Sequence, residues 1–177
     1  MNSNIISKTK QIAINGMCIV LIFIVTMCIN VPMIGNGGVI HLGDVPLFLA
    51  AIIFGKKTGA IAGAFGMSFF DLISGWTAWA PFTFIIVGFM GFVVGLITEK
   101  ESHNNFIWYS LAIFAALIIT VVGYYIAEVI LYGNLTTPIT SIPGNIMQVL
   151  AAGVIVIPIA KTLKKIILIQ ILGGRNL

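Results

Sequence analysis

Charge is what this sequence has least of. Of 177 residues, nine are lysine or arginine and five are acidic, so only 8% are charged, against about 25% in an ordinary soluble domain. That shortage excludes a soluble globular domain. Together with a hydrophobic content of 59% and a mean hydropathy of +1.13, it marks an integral membrane protein. Cysteine is scarce as well. Cys18 and Cys28 both fall in the first apolar run and form neither a CxxC nor a Cys/His cluster, so they read as small apolar fillers of a helix. His41 and Asp44 make the one pair resembling metal ligands, with no second histidine near them in sequence, so neither a metal site nor a cofactor is expected. GxSxG, HExxH and phosphate-loop motifs are all missing. No catalytic group is expected, and the chain has no P-loop means of hydrolysing ATP by itself. No internal repeat is visible, which gives no support to an inverted-repeat transporter architecture. The N-terminal run, Ile12 to about Val31 after Lys8 and Lys10, lacks a small-x-small cleavage site, so it reads as an uncleaved spanning helix.

What the chain does have is long apolar segments. A spanning helix needs about 20 mostly apolar residues, and hydropathy with Gly/Pro punctuation gives six candidates, about 9–31, 44–55, 58–75, 81–98, 106–132 and 142–169. The expected fold is an all-α membrane domain, a six-transmembrane-helix bundle over residues 1–177. Segment 44–55 is short, about 18 Å at 1.5 Å per residue. It cannot cross a core of about 30 Å unaided, so the preceding "NGGVIHLG" is expected to lie partly inside the protein. In the last segment Pro158 removes an amide donor, and a bend is expected there.

The charges orient the bundle. With a cytoplasmic N-terminus, Lys8, Lys10, Lys56, Lys57, Lys100, Lys161, Lys164, Lys165 and Arg175 all fall inside and none outside, as the positive-inside rule requires. Both termini are then cytoplasmic in a cell membrane. The same placement makes the basic residues a membrane-proximal rim, not a nucleic-acid patch. Gly59, Gly63 and Gly66 in the third segment, and Gly88, Gly91 and Gly95 in the fourth, form small-residue stripes suited to close helix packing, within one bundle or between two copies.

Few acidic residues remain. Glu99 and Glu101 sit beside Lys100 in a cytoplasmic loop, where His103 also lies, and read as solvated. Asp44, Asp71 and Glu128 fall in the outer third of the bundle with no cation to pair them. Ionisable residues at membrane depth are functional candidates, although Asp44 also reads as a helix N-cap. Trp76, Trp79, Tyr132, Asn145, Gln148 and His41 come from different segments at the same level. Trp76 and Tyr132 also suit an aromatic belt, and Asn145 and Gln148 a helix–helix contact. Aromatic walls with a few convergent polar groups form a site for a small ring-shaped ligand. Two other functions fit the same carboxylates, a proton-coupled secondary carrier and a membrane enzyme using Asp71 and Glu128 as acid and base.

The stretch "GGVIHLGDVPLFLAAIIFGKKTGAIAGAFGMSFFDLISGW", with "WAPFTFIIVGFMGFVVGLI" and "IPGNIMQVLAAGVIVIPIAKTLKK", resembles the substrate-binding S components of energy-coupling factor (ECF) vitamin transporters. The closest branch is the riboflavin-transporter-like one, with its pyridoxine and hydroxymethylpyrimidine carriers. The resemblance spans about residues 10–170. It implies a high-affinity vitamin site near the outer surface, closed by the loop between the first two helices. It also implies partners, namely a membrane-embedded coupling subunit and two cytoplasmic ATPases, with toppling in the bilayer to release substrate. A small-residue docking face on the first helix is implied at Ala13, Gly16 and Met17, methionine standing where relatives carry a second alanine. Val87 stands where relatives often have a lysine. With three outer carboxylates and no outer cation, anionic ligands such as folate or biotin would be repelled, and a neutral or cationic nitrogen heterocycle is expected. Hydroxymethylpyrimidine and pyridoxine rank first, and thiamine and riboflavin also fit.

Overall fold

The computed structural model describes residues 8–32, 39–99 and 105–171. Among them the chain forms α1 (Lys8–Cys28), β1 (Asn30–Pro32), β2 (Val39–His41), α2 (Asp44–Phe54), α3 (Lys56–Ile73), α4 (Ala80–Thr98), α5 (Asn105–Tyr132), a 3-10 turn (Thr137–Ser141) and α6 (Ile142–Ile171). The expectations placed on Lys100, Glu101, His103, Arg175 and the glycines at 37 and 38 lie outside the described residues.

The first helix ends earlier than its hydropathy predicts, at Cys28 and not near 31. Asn30 explains the stop. Its side-chain amide donates to the carbonyls of Thr26 (3.1 Å) and Met27 (2.7 Å), satisfying two acceptors at the helix end. The chain then enters a short antiparallel hairpin in which Asn30 faces His41 and Pro32 faces Val39. Hydropathy could not show this strand pair, because three-residue strands leave no periodic signal.

Helices α2 and α3 are separated by Gly55 alone. Its φ of 90° lies in the region that favours glycine, and it reverses the chain in one residue. Lys56 and Lys57 therefore open α3 instead of forming a loop. Glu99, expected to be merely solvated, pairs with Lys56 at 2.7 Å. Partial burial pushes the Glu99 carboxyl up, but the hydrogen bonds and charge of Lys56 outweigh this and hold it below its ordinary value. A half-exposed pair of this kind contributes little stability.

α2 sits at the centre and packs against α1, α3, α4 and α6. Its sequence, DVPLFLAAIIF, is apolar on every face, as a helix surrounded by other helices must be, and Leu47, Phe48 and Ala51 are fully buried. The small-residue stripes let the neighbours close around it. A methyl group on Gly91 would meet the Gly59 backbone, and one on Gly63 would meet Leu47 and the Val87 side chain and carbonyl. Gly66 turns to a different partner, Ile22 of α1. The stripes are thus used inside one bundle. α6 continues through Pro158 as one helix.

Among the described residues, four helices are long and apolar enough to cross a membrane: α1, α4, α5 and α6, the last counted with its 3-10 turn. Their outward faces carry large apolar side chains such as Leu21, Ile85, Phe89, Ile118, Ile130 and Val154, the exterior that a lipid solvent favours. Because the chain reverses at each turn, the ends of α1, α3 and α5 and the starts of α2, α4 and α6 share one end of the bundle. Lys8, Lys10, Lys56, Lys57, Lys161, Lys164 and Lys165 gather at the other.

The α3–α4 crossing makes a clear prediction. Gly91→Ala forces the two backbones apart and lowers stability by about 1–3 kcal/mol, the usual range for overpacking. Gly16→Ala, where an added methyl meets nothing within 4 Å, leaves stability unchanged or slightly raised. Thermal unfolding in detergent compares them, and equal melting temperatures for both variants would refute the close-packing reading.

Candidate functional site

The end of the bundle away from the lysines holds a cavity of about 490 Å³, counting the open space at its mouth. Val39 and His41, two residues apart on β2, line it from one strand face. Phe70 and Asp71 come from the last turn of α3, Thr83 from the first turn of α4, and Trp76 and Trp79 from the connection between them. Tyr124 and Glu128 come from α5, four residues apart on one helix face, and Asn145 and Gln148 from α6.

The connection after α3 shows how local sequence sets these positions. Gly75 has a φ of 88°, which reverses the chain after α3. The Trp76 amide then returns to the Asp71 carbonyl (2.8 Å), and the Trp79 amide to the Trp76 carbonyl (2.8 Å). Both tryptophans are thereby held at the cavity, and the Ser68 hydroxyl pins the start of α4 by donating to the Ala80 carbonyl (3.1 Å). The Trp79 ring lies 6.2 Å from Tyr124 and 6.1 Å from Tyr132, distances at which aromatic rings attract in tilted or edge-on arrangements.

The polar groups form an acceptor-rich wall. Asp71 is hydrogen-bonded by Thr83, whose Oγ1 in turn receives the Tyr124 hydroxyl at 3.4 Å. Its other oxygen, Oδ2, is buried without a partner. The Ser141 hydroxyl donates to Glu128 Oε2 at 2.7 Å. Gln148 Nε2 donates to Asp44 Oδ2 at 2.9 Å, while Asp44 Oδ1 has no partner. Among the described residues no lysine or arginine lies at this end, so the carboxylates are met only by neutral donors.

Seven of the nine predicted contact residues therefore line one cavity: His41, Asp71, Trp76, Trp79, Glu128, Asn145 and Gln148. The other two do not. Asp44 is buried beneath the cavity, 1% exposed, behind Gln148. It does not cap α2 either, since Gly43 holds the cap position and no side-chain cap bond forms. Tyr132 stands beside the cavity against Trp79. Four lining residues were not anticipated, Val39, Phe70, Thr83 and Tyr124. Tyr124 was within reach, because it precedes Glu128 by one helical turn. Val39 belongs to a strand with no sequence signal. Val87, one turn past Thr83, packs against Gly63 and is not part of the lining. Ala13, Gly16 and Met17 are all exposed on α1.

Burial lowers the imidazole of His41 from 6.5 to about 4, its own backbone hydrogen bond only partly opposing the shift. The ring, edge-on to Phe70 at 6.0 Å, is therefore neutral at pH 7. The unfolded chain takes up this proton near 6.5 and the folded chain only near 4. Stability contributed by neutral His41 is thus complete above about 6.5 and is lost as the pH falls through that window, by at most about 1.4 kcal/mol per pH unit. The His41→Gln variant should lose that part of the acid slope in denaturation profiles between pH 6.5 and 4. An unchanged slope would show that the buried-imidazole assignment is wrong.

Comparison with known proteins adds two findings. Residues 6–165 match the family model described as ECF-type riboflavin transporter, S component. Two relatives are similar along much of the chain. One, from Lactococcus lactis subsp. cremoris, is named Thiamine precursor transporter HmpT. It is 29% identical over 147 residues, covering 82% of both chains. The other, from Pyrococcus woesei, is described only as an uncharacterized protein in a gap 3' region. It is 32% identical over 110 residues, which is 62% of this chain and 72% of its own.

Proposed function

From the premise that this chain belongs to the family of ECF-type riboflavin transporter S components, a vitamin-transport protein of the membrane and not an enzyme, we propose that its cavity binds a small neutral or cationic nitrogen heterocycle. Hydroxymethylpyrimidine comes first and pyridoxine second. The observation that carries the reading is the wall itself, two carboxylates facing one aromatic-lined cavity with no cation among the described residues near them. Such a wall accepts hydrogen bonds and repels anions. An aminopyrimidine with a hydroxymethyl arm brings N–H and O–H donors for Asp71 and Glu128, and a flat ring for Trp76 and Trp79. Riboflavin offers a larger ring system with several carbonyl acceptors, which this wall receives less well. The relative named as a thiamine precursor transporter supports the same choice.

The remaining parts of the proposal concern energy and topology. Family membership supports uptake driven by ATP that two partner ATPases hydrolyse through a membrane coupling subunit, the chain itself carrying no P-loop. The exposed face at Ala13, Gly16 and Met17 on α1 is the docking surface proposed for that subunit. The lysine-rich end faces the cytoplasm by the positive-inside rule, which turns the cavity outward across a bacterial cytoplasmic membrane and leaves both termini inside.

Calorimetric titration of the purified protein with hydroxymethylpyrimidine tests the site. Asp71→Asn and Glu128→Gln should each weaken binding by about tenfold or more, as expected for loss of a charge-assisted hydrogen bond in a desolvated site. Glu99→Gln, at the opposite end beside Lys56, should bind as the unmodified protein does. Equal losses in all three variants would remove the site assignment. In proteoliposomes, uptake should require the coupling subunit, the ATPases and ATP. Full-rate uptake by this chain alone under a proton gradient would replace the ATP-driven reading with a proton-coupled carrier.

A further inference from the structure

Asp44 and Gln148 stand in a relation that ligand contact does not explain. In the hairpin register Asn30 faces His41, and the Leu42 amide donates to the Ile29 carbonyl at 3.1 Å. Antiparallel pairs alternate between bonded and unbonded positions. The 29/42 position is bonded, so the 30/41 position is not, and the His41 N–H points away from β1. A partly buried edge amide is best satisfied by a protein acceptor. It finds one 107 residues away, in Gln148 Oε1 at 3.1 Å. The polarity of the amide follows. A backbone N–H can only donate, so the Gln148 oxygen must face His41 and its NH2 group must face Asp44. Asp44 Oδ2 accepts from that NH2 at 2.9 Å. One glutamine side chain on α6 thus joins the hairpin to the central helix α2, with Asp44 fixing which way its amide lies.

We infer that Asp44 is a positioning residue. Through Gln148 it latches the β1–β2 hairpin, and with it the Val39–His41 wall, over the cavity without touching the ligand. The inference rests on the proposed ligand reading for its binding readout, though the latch itself is present without ligand. The hairpin is also seated tightly where it leaves β2. A methyl group on Gly43 would meet the Thr26 side chain and Met67, which leaves little freedom for the strand to re-register. The strand therefore stays only where its outward amide is accepted.

The latch predicts an ordering of variants that a ligand-contacting carboxylate would not give. Asp44→Asn keeps an acceptor for the Gln148 NH2 group and should bind hydroxymethylpyrimidine within about threefold of the unmodified protein. Asp44→Leu leaves that group unpaired and should weaken binding by about tenfold, mainly through faster dissociation. Gln148→Glu sets two carboxylates side by side and should be at least as damaging. The double variant Asp44→Asn/Gln148→Glu restores a donor at 44 and an acceptor at 148, and should regain most of what Gln148→Glu loses. Hydrogen exchange of the segment 39–43 in the ligand-free protein gives a second readout. Exchange should be fast in Asp44→Leu and Gln148→Glu, and slow in Asp44→Asn and in the double variant.

If Asp44→Asn binds as poorly as Asp44→Leu and the double variant shows no rescue, Asp44 acts by its charge and the latch is overturned. The latch is equally overturned if exchange at 39–43 is the same in all variants. Failure of the unmodified protein to bind hydroxymethylpyrimidine, with the exchange pattern intact, would sink the ligand reading and leave the latch standing.

Discussion

The architecture depends on one helix that is too short for its surroundings. α2 has 11 residues, about 16 Å of helix against a hydrocarbon core of about 30 Å. Placed at the centre of the bundle and anchored where it ends, at Gly55 beside the Lys56–Glu99 pair, it cannot span to the far end. The longer helices around it do, and the space above Asp44 is left for the end turns of α3 and α5 and the first turns of α4 and α6 to enclose. The cavity is the volume that α2 does not fill. The hairpin covers it because the chain from α1 must come back down to the start of α2, and a strand pair does so while satisfying its own backbone groups.

The same geometry decides what can be bound. Polar groups that would be costly in lipid are tolerated around this volume because they face one another or the cavity. Asp71, Glu128 and Asp44 are each met by a neutral donor, Thr83, Ser141 and Gln148 respectively, and the described cations are all at the other end. Acceptors outnumber donors at the cavity as a result, and Asp71 Oδ2 is left without a partner. A buried unpaired acceptor costs about 1–3 kcal/mol, so a ligand rich in donors offsets part of that cost on entry. Under the proposed function, the separation of lysines from carboxylates serves two ends, orientation in the membrane and choice of substrate.

Much of this was legible in the sequence, and the exceptions have physical causes. Long apolar helices announce themselves by composition, and α4 and α5 begin and end within a residue or so of the expected bounds. The convergence of Asp71, Glu128, Asn145 and Gln148 at one end of the bundle followed from helix direction alone, because they must share an end once the chain reverses at each turn. Boundaries set by a single side chain were not legible. The stop of α1 at Cys28 depends on the Asn30 amide, and the tight α2–α3 reversal depends on one glycine conformation. Asp44 was misplaced for a related reason. A carboxylate at a helix start reads as a cap or as a ligand contact, and only the position of Gln148, 104 residues away, reveals a third role.

That third role ties distant parts of the molecule together. α1 buries only Cys18, Ile22 and Thr26, so its outer face is available to a partner under the proposed docking. Its last turn is capped by Asn30, the residue that faces His41 in the hairpin, and His41 is held by Gln148. The end of α1 is also tied to the residue after β2 by the bond from the Leu42 amide to the Ile29 carbonyl (3.1 Å), and β2 to the amide whose polarity Asp44 sets. Thr26 reinforces the route, since its side chain lies against Gly43, the residue that joins the hairpin to α2. The helix with the most exposed face is thus joined to the wall of the cavity by hydrogen bonds, so under the proposed docking the partner's surface and the site share one connected set of contacts.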